Sequence, residues 1–560
     1  MSRSRRVHRR SLGCVLSTLL AVGCGAGSGG DGDASSTADS GGTSGHNTTD
    51  DSGSPGGGAG ESAADSTATG ADGGTGSTSG TPPPSEPGVH STLVADLPGG
   101  EPTACEWEWT IRTLHYHPSA VVPRRMYHAG CDVGPDARMV TSITLGENAE
   151  HPDEDPSSGA LIVSAMDNAT GTLSRIDQRH FPECISMHGV AVSDDCSVIG
   201  ALCRIPSGTA GFDKDVLATH AAADWMTNPY ECGDRGVNDE MWLYEWTDGD
   251  LQSEPRKFIV HKSIGSWEYG NNYLRLGNDA AHWGIAMKTT VGGEDGPRTC
   301  HEADAFLVMD RGSETMTDRG WSWACGTGHT TFNRLAHNPA TDRYAMMCST
   351  DYNEAQTGGL GAYVFRMEDG DAQEFHYANL DGIKNKGGAS SIVPRPDGGY
   401  VGVLVGVEGT AVPDGYPDEP GTGIGLARWN ADGAMEGDIR WIRQDPEGYL
   451  SYATLSELAP GRYLLGWGVM QRLADLDDGD QAMRVPWEFW LMEVDDAGEP
   501  LTDPYPVEGA GWGELDEMVP LGLGRAGWAY IADPALTADA QSPACNQPEI
   551  QLSVYTSPLG

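Results

Sequence analysis

Six times between residues 189 and 530 the chain repeats one pattern: an apolar run, a tight polar turn, then a second apolar run. The copies occupy residues 189–203, 273–287, 333–347, 391–404, 455–465 and 518–530. Within the runs, apolar side chains tend to alternate with small or polar ones, the two-residue period of a strand that packs on its faces. The copy at 391–404 is compact. Ile392 and Val393 lead into Pro396-Asp397-Gly398-Gly399, and Tyr400, Val401, Val403 and Leu404 follow. The turn residues Asp279, Asp342, Gly398, Gly461 and Gly524 stand 63, 56, 63 and 63 positions apart. A second hairpin pattern follows most copies, as at 241–250, 426–435 and 489–498, where Asp-Gly or Ala-Gly comes after alternating apolar residues. Segments 137–145 and 161–171 supply a further, weaker copy.

Two hairpins per period make a four-stranded antiparallel sheet. A chain of such units resembles a β-propeller, and the resemblance covers residues 93–560. It implies an all-β fold, with seven four-stranded blades as the count the copies support and six or eight as alternatives. A long β-helix is the other architecture, but its repeat is shorter and lacks paired hairpins. On the propeller reading, residues 551–555 join residues 107–113 in one blade, closing the ring and hiding its sheet edges.

The first ninety residues follow other rules. Arg3, Arg5, Arg6, Arg9 and Arg10 precede an apolar run at 12–22, too short to span a bilayer, which takes roughly 20 residues. Ala21-Val22-Gly23 then lead to Cys24, and a Gly/Ser/Asp/Thr-rich stretch follows. This resembles a bacterial lipoprotein signal. The resemblance implies removal of residues 1–23, lipidation of Cys24 and, with Gly25 next, an outer-membrane location. An ordinary cleaved signal peptide is the alternative, and Arg9-Arg10 faintly resembles a twin-arginine signal. Residues 24–92 carry almost no large apolar side chains, cannot offset the entropy of ordering, and are expected to be a disordered tether with a reach of roughly 45 Å.

Charge narrows the partners. The chain has 35 basic and 81 acidic residues. Removing the signal, with its five arginines and no acids, leaves 30 minus 81, or −51. That field repels nucleic acid and anionic headgroups, so the membrane is met only through the N-terminal lipid. It favours cations, and calcium is the one cofactor it suggests. The body is expected to be a monomer. Beyond Cys14 and Cys24, ten cysteines remain: Cys105, Cys131, Cys184, Cys196, Cys203, Cys232, Cys300, Cys325, Cys348 and Cys545. An even number in an exported chain reads as up to five disulfides. A Cys196–Cys203 pair is excluded on the expectation that both lie on one strand, roughly 23 Å apart.

The candidate chemistry sits in loops feeding the first strand of each unit, where propeller ligands gather. These loops carry His188, Tyr269, Asn271, His329, Lys386, Tyr449 and Trp512, with Arg334 near them. If they converge, they form one concave mouth. Other motifs lead to bland readings. His180, Cys184 and His188 have zinc-like spacing, but Phe181-Pro182 breaks the helix that would align them. His115 and His117 lack a third ligand. Asp475 to Asp480 lacks the register and closing Glu of an EF-hand. Residues 165–171 resemble part of the blade motif of quinoprotein dehydrogenases, yet Arg175 replaces its tryptophan and a plain hairpin turn explains them. No Gly-x-Ser-x-Gly, His-Glu-x-x-His, Cys-x-x-Cys or phosphate-loop motif is present. The chain therefore reads as a tethered envelope protein whose propeller face binds a small molecule, glycan or protein. The alternatives are a hydrolase or lyase using His188 and His329, and a structural module of an envelope complex.

Overall fold

The computed structural model describes residues 88–94, 108–110, 113–115, 122–132, 137–146, 158–206, 239–264, 273–293, 296–322, 333–350, 362–367, 375–376, 391–406, 423–444, 449–472, 484–507, 517–531 and 550–560. All belong to one compact unit spanning 79–560. The export segment, Cys24 and nearly all of the tether lie outside them. Among the described residues, no helix is long and apolar enough to cross a membrane.

The repeat pattern folds as its periodicity requires. Among the described residues, seven four-stranded antiparallel sheets follow one another along the chain. Their innermost strands are Val122–Cys131, Ser186–Val192, Tyr273–Leu276, Asn333–Asn338, Ser391–Pro394, Tyr449–Ala459 and Val519–Pro520, which we number as sheets 1 to 7. Consecutive innermost strands pack side by side, and the seventh packs on the first, so the ring closes as a β-propeller.

Closure uses a different strand from the one expected. Sheet 7 is completed by Gly88–Val94, which pairs with Ile550–Thr556 from Gly88 opposite Thr556 to Val94 opposite Ile550. Its first strand thus starts inside the segment assigned to the tether. The expected partner, 107–113, contributes instead to a hairpin of Glu108–Thr110 with Thr113–His115. Joining the two ends of the body in one sheet ties the N-terminal strand to the C-terminal one and leaves no open seam.

The five repeated turn positions share a backbone conformation. Asp279, Asp342, Gly398, Gly461 and Gly524 have φ of 52°, 53°, 92°, 73° and 69°. A tight antiparallel turn needs one residue in this left-handed region, which Gly or Asp adopts at least cost. Cys196 holds the corresponding place in sheet 2, at φ 60°. The segment 165–171 is likewise a plain turn, with the Asp167 carboxylate accepting the Ala169 N–H at 2.8 Å.

Sheets 3 and 4 each pack a large aromatic side chain on the sheet before. Trp283 of sheet 3 is fully buried over Gly200 of sheet 2, where an added Cβ would come within 2.4 Å of the indole. Tyr344 of sheet 4 lies the same way over Gly284. Its hydroxyl donates to the His282 carbonyl at 3.3 Å, and Tyr400 of sheet 5 donates to the Arg343 carbonyl at 3.0 Å. Trp242, Trp246 and Trp429 are buried as well.

One charged hub joins sheets 2 and 3. Glu245, fully buried, accepts from Trp283 Nε1 at 2.7 Å, Arg311 Nε at 2.7 Å and Arg256 Nη1 at 3.0 Å. Replacing it would leave Arg311 Nε and the Trp283 indole N–H without their acceptor, while Arg256 keeps Glu314. Glu245→Ala is expected to lower unfolding free energy by about 3–5 kcal/mol in urea titrations, and Glu245→Gln by less. A loss below about 1 kcal/mol would show that the hub is not a stabilising element.

Two disulfides lie in the sheet 1–sheet 2 region. Cys131 at the end of the first inner strand bonds Cys196, and Cys184 in the crossover bonds Cys203. Cys196 and Cys203 therefore have different partners. The reason differs from the one expected, because Cys196 is in the turn and only Cys203 is on Ile199–Pro206. Cys105, Cys232, Cys325 and Cys545 lie outside the described residues.

Candidate functional site

The inner strands surround a cavity of about 980 Å³ on the ring axis, with residues of all seven sheets in its wall. The lining comes from the later halves of the inner strands and their turns, for example Val190 to Val198 and Arg275 to Ala280. The cavity therefore lies toward the turn end of the strands.

A charged bar crosses the channel. Glu517, which leads into the inner strand of sheet 7, accepts from Arg275 of sheet 3 at 2.6 Å. It also lies 3.6 Å from Nε of Arg334 on sheet 4. In the ring order, sheets 3 and 4 stand opposite sheet 7. Arg334 donates to the Tyr273 hydroxyl, and its guanidinium lies over the Tyr273 ring, 5.1 Å from the centroid. Tyr127 meets Tyr273 edge-on at 5.4 Å and His188 at 6.2 Å. Burial raises the Tyr273 hydroxyl well above its ordinary range, so it stays a phenol.

The wall on the turn side is acidic. Asp194 and Asp195 come from the sheet 2 turn, Asp279 from the sheet 3 turn and Glu457 from the inner strand of sheet 6. Hydrogen bonds from Ser193 and Ser197, at 2.6 and 2.7 Å, pull Asp195 down to about 2. Burial pushes the Glu457 carboxyl up. Two arginines reach the cavity, but Arg275 is paired with Glu517 and Arg311 with Glu245. His337 also faces it, with Nε2 2.9 Å from Asp342 Oδ1, and burial lowers its basicity. No Phe, Tyr or Trp is among the described residues that line it. Among the described residues, no group of three His, Cys, Asp or Glu side chains could hold a metal ion.

Of the site residues expected from sequence, His188 and Arg334 are described with their side chains. His188 is buried, with Nε2 2.9 Å from Ser186 Oγ, and Arg334 belongs to the charged bar. Tyr449 starts the inner strand of sheet 6. Tyr269, Asn271, His329, Lys386 and Trp512 lie outside the described residues. The zinc-like spacing at 180–188 has another explanation, since the Cys184 sulfur is in a disulfide and His180 meets Ser158 Oγ at 2.8 Å. Sequence reasoning missed Arg275, Glu457 and Glu517. The only local signal was their place beside the repeated turns and strand starts.

No protein-family model matches the chain, and no curated protein does. Among solved structures, the polysaccharide lyase Uly1 is similar at 9% identity over 79% of this chain and 91% of that one, with a TM-score of 0.39. The α-L-arabinanase of Penicillium chrysogenum is similar at 10% identity over 63% and 91%, with a TM-score of 0.36. An acylaminoacyl peptidase of Pyrococcus horikoshii is similar at 10% identity over 74% of this chain, with a TM-score of 0.34; this chain spans 58% of its length. These likenesses concern the fold alone.

Proposed function

We propose that this protein is an exported, lipid-anchored binding protein whose axial cavity takes a small, hydroxyl-rich ligand of the saccharide class. The cavity carries the reading. Its volume of about 980 Å³ is at the upper end of small-molecule sites, roughly 300–1,000 Å³. Its wall mixes the hydroxyls of Ser193, Ser197, Ser391 and Ser456 with the Asn278 amide and charged groups. Such a wall can both donate to and accept from sugar hydroxyls. The two disulfides fit an oxidising compartment, and the lipoprotein-like segment ending at Cys24 supports a lipid anchor.

Calorimetric titration of the full-length protein with a saccharide panel tests the site. At least one member is expected to bind, and Asp194→Trp, on an exposed turn at the cavity wall, should weaken it about tenfold or more. A panel without binders, or binding indifferent to Asp194→Trp, would remove the reading. Anchoring has its own test. Cys24→Ser should release the protein from membranes, and retention of that variant would exclude lipidation at Cys24.

One observation favours a second reading, a hydrolase or lyase in the same cavity. The half-buried Glu457 carboxyl holds its proton to higher pH than an ordinary glutamate, as a general acid must. Turnover of a bound saccharide that Glu457→Gln abolishes would establish it.

A further inference from the structure

Five large apolar side chains are exposed among the described residues, and three of them share one corner of the ring. Leu523, the most exposed at 68%, is in the turn that follows the inner strand of sheet 7. Leu559 follows the strand Ile550–Thr556 of the same sheet, and Leu501 is in the turn after the third strand of sheet 6. Hydrogen bonds hold the corner together. The Ser557 N–H donates to the Gly524 carbonyl at 2.9 Å, and the Leu559 N–H donates to Ser557 Oγ at 3.0 Å. Arg462 of sheet 6 donates to the Gly560 carbonyl at 2.7 Å. The Leu501 N–H donates to the Glu493 carbonyl at 2.8 Å, and the Glu493 carboxylate accepts from the Tyr555 hydroxyl of sheet 7 at 2.7 Å.

Leucine stands at this corner against the preference of its backbone. Gly522, Leu523 and Gly524 have φ of 69°, 52° and 69°, three left-handed residues in a row. Glycine takes that conformation freely, whereas the Cβ of leucine makes it costly. Leu523 is the single large apolar residue in it among the described residues. Glycine or aspartate there would relieve the turn and raise solubility, so neither folding nor solubility accounts for the leucine. Strain of this kind collects at positions that meet a ligand or partner.

The place of the corner indicates what covers it. The chain leading from Cys24 enters the body at Gly88, which pairs with Thr556, which in turn pairs with Arg525. Two strand spacings, about 10 Å, separate that entry point from the end of the Leu523 turn. On the lipid-anchor reading, the body is therefore held by the edge that displays the leucines. Charge selects the surface. The chain without its signal carries 30 minus 81, or −51, and Asp132 lies against Gly522. That field repels a second copy and an anionic bilayer, but not a zwitterionic one.

We propose that the corner formed by Leu501, Leu523 and Leu559 docks the body on a zwitterionic lipid surface, its leucines entering the headgroup region. This rests on the lipid-anchor reading above. Three leucines bury too little apolar area to hold the body on a membrane alone, but a lipid on Cys24 keeps them at high local concentration beside it.

The test uses the full-length lipidated protein in phosphatidylcholine vesicles that contain a photoactivatable acyl-chain probe, with labelled peptides identified by mass spectrometry. Label is expected to be severalfold higher in residues 518–531 and 550–560 than in the rest of the body. Leu523→Asp/Leu559→Asp should cut it severalfold while the vesicles retain the protein. Both positions are exposed and aspartate tolerates left-handed φ, so the fold is expected to persist. Leu523→Gly, which relieves the turn outright, should cut the label in 518–531 as well. Retained protein with uniform label, or with label that these variants leave unchanged, would overturn the docking and leave the lipid anchor standing. Protein that washes off the vesicles would remove the lipid anchor and the docking with it. Dimerisation in light scattering that Leu523→Asp/Leu559→Asp abolishes would overturn the proposal in favour of a second copy.

Discussion

Folding stability of the wild-type protein is expected to fall by about 4 kcal/mol between pH 6.5 and pH 3 through one residue, His128. His128 is on the inner strand of sheet 1, buried where sheet 1 meets sheet 7. Its Nε2 accepts the Ala529 N–H at 3.3 Å, which leaves Nδ1 to donate to Thr141 Oγ1 at 3.2 Å. The ring is therefore built in as neutral imidazole. Burial lowers its pKa from 6.5 to about 3. Over that interval the unfolded chain takes up a proton that the folded one refuses, so stability drops as pH falls and is fully present above pH 6.5. Carboxylates also titrate in acid, so the measurement is a difference. Urea titrations across pH 3–7 should show a clearly shallower decline for His128→Gln, which cannot be protonated. Identical slopes for the two proteins would show that His128 does not govern acid stability. The site matters because it fastens the seam at which the ring closes.

Loss of the Cys131–Cys196 disulfide is expected to cost about 4 kcal/mol. The bond closes a loop with a sequence separation of 65, and chain-entropy arithmetic for a loop of that length yields this value. The Cys184–Cys203 bond, with a separation of 19, should contribute about 3 kcal/mol by the same arithmetic. Both lie in the sheet 1–sheet 2 region, so their removal should loosen the same part of the ring. Denaturation of the Cys131→Ser/Cys196→Ser variant checks the larger effect. A change below about 1 kcal/mol would mean that inter-sheet packing alone holds these sheets together.

The repeat was legible in the sequence because its signals are local. A strand declares itself by alternation over a few residues, and a tight turn by one residue that tolerates positive φ. Asp279, Asp342, Gly398, Gly461 and Gly524 show this, since the positions picked from spacing are the ones with left-handed backbone. The closing strand was not legible. Gly88–Val94 is half-exposed along most of its length and follows a Gly/Ser/Thr-rich stretch of sequence with little to set it apart, while 107–113 offers a more conspicuous aromatic run. The candidate site was harder still. Glu517 and Arg275 are separated by 242 positions, and neither sits in a motif.

By itself, the sequence determined the class of fold, the blade-like period, the acidic character and the even set of body cysteines. Each follows from composition or from neighbours within a few residues. The tertiary structure alone decided which strand closes the ring, which cysteines pair, and that opposed charges meet across the axis. It also decided that four acids from three sheets share one cavity. Those outcomes depend on residues that ring geometry brings together from distant sheets, and no local pattern in the chain encodes that distance.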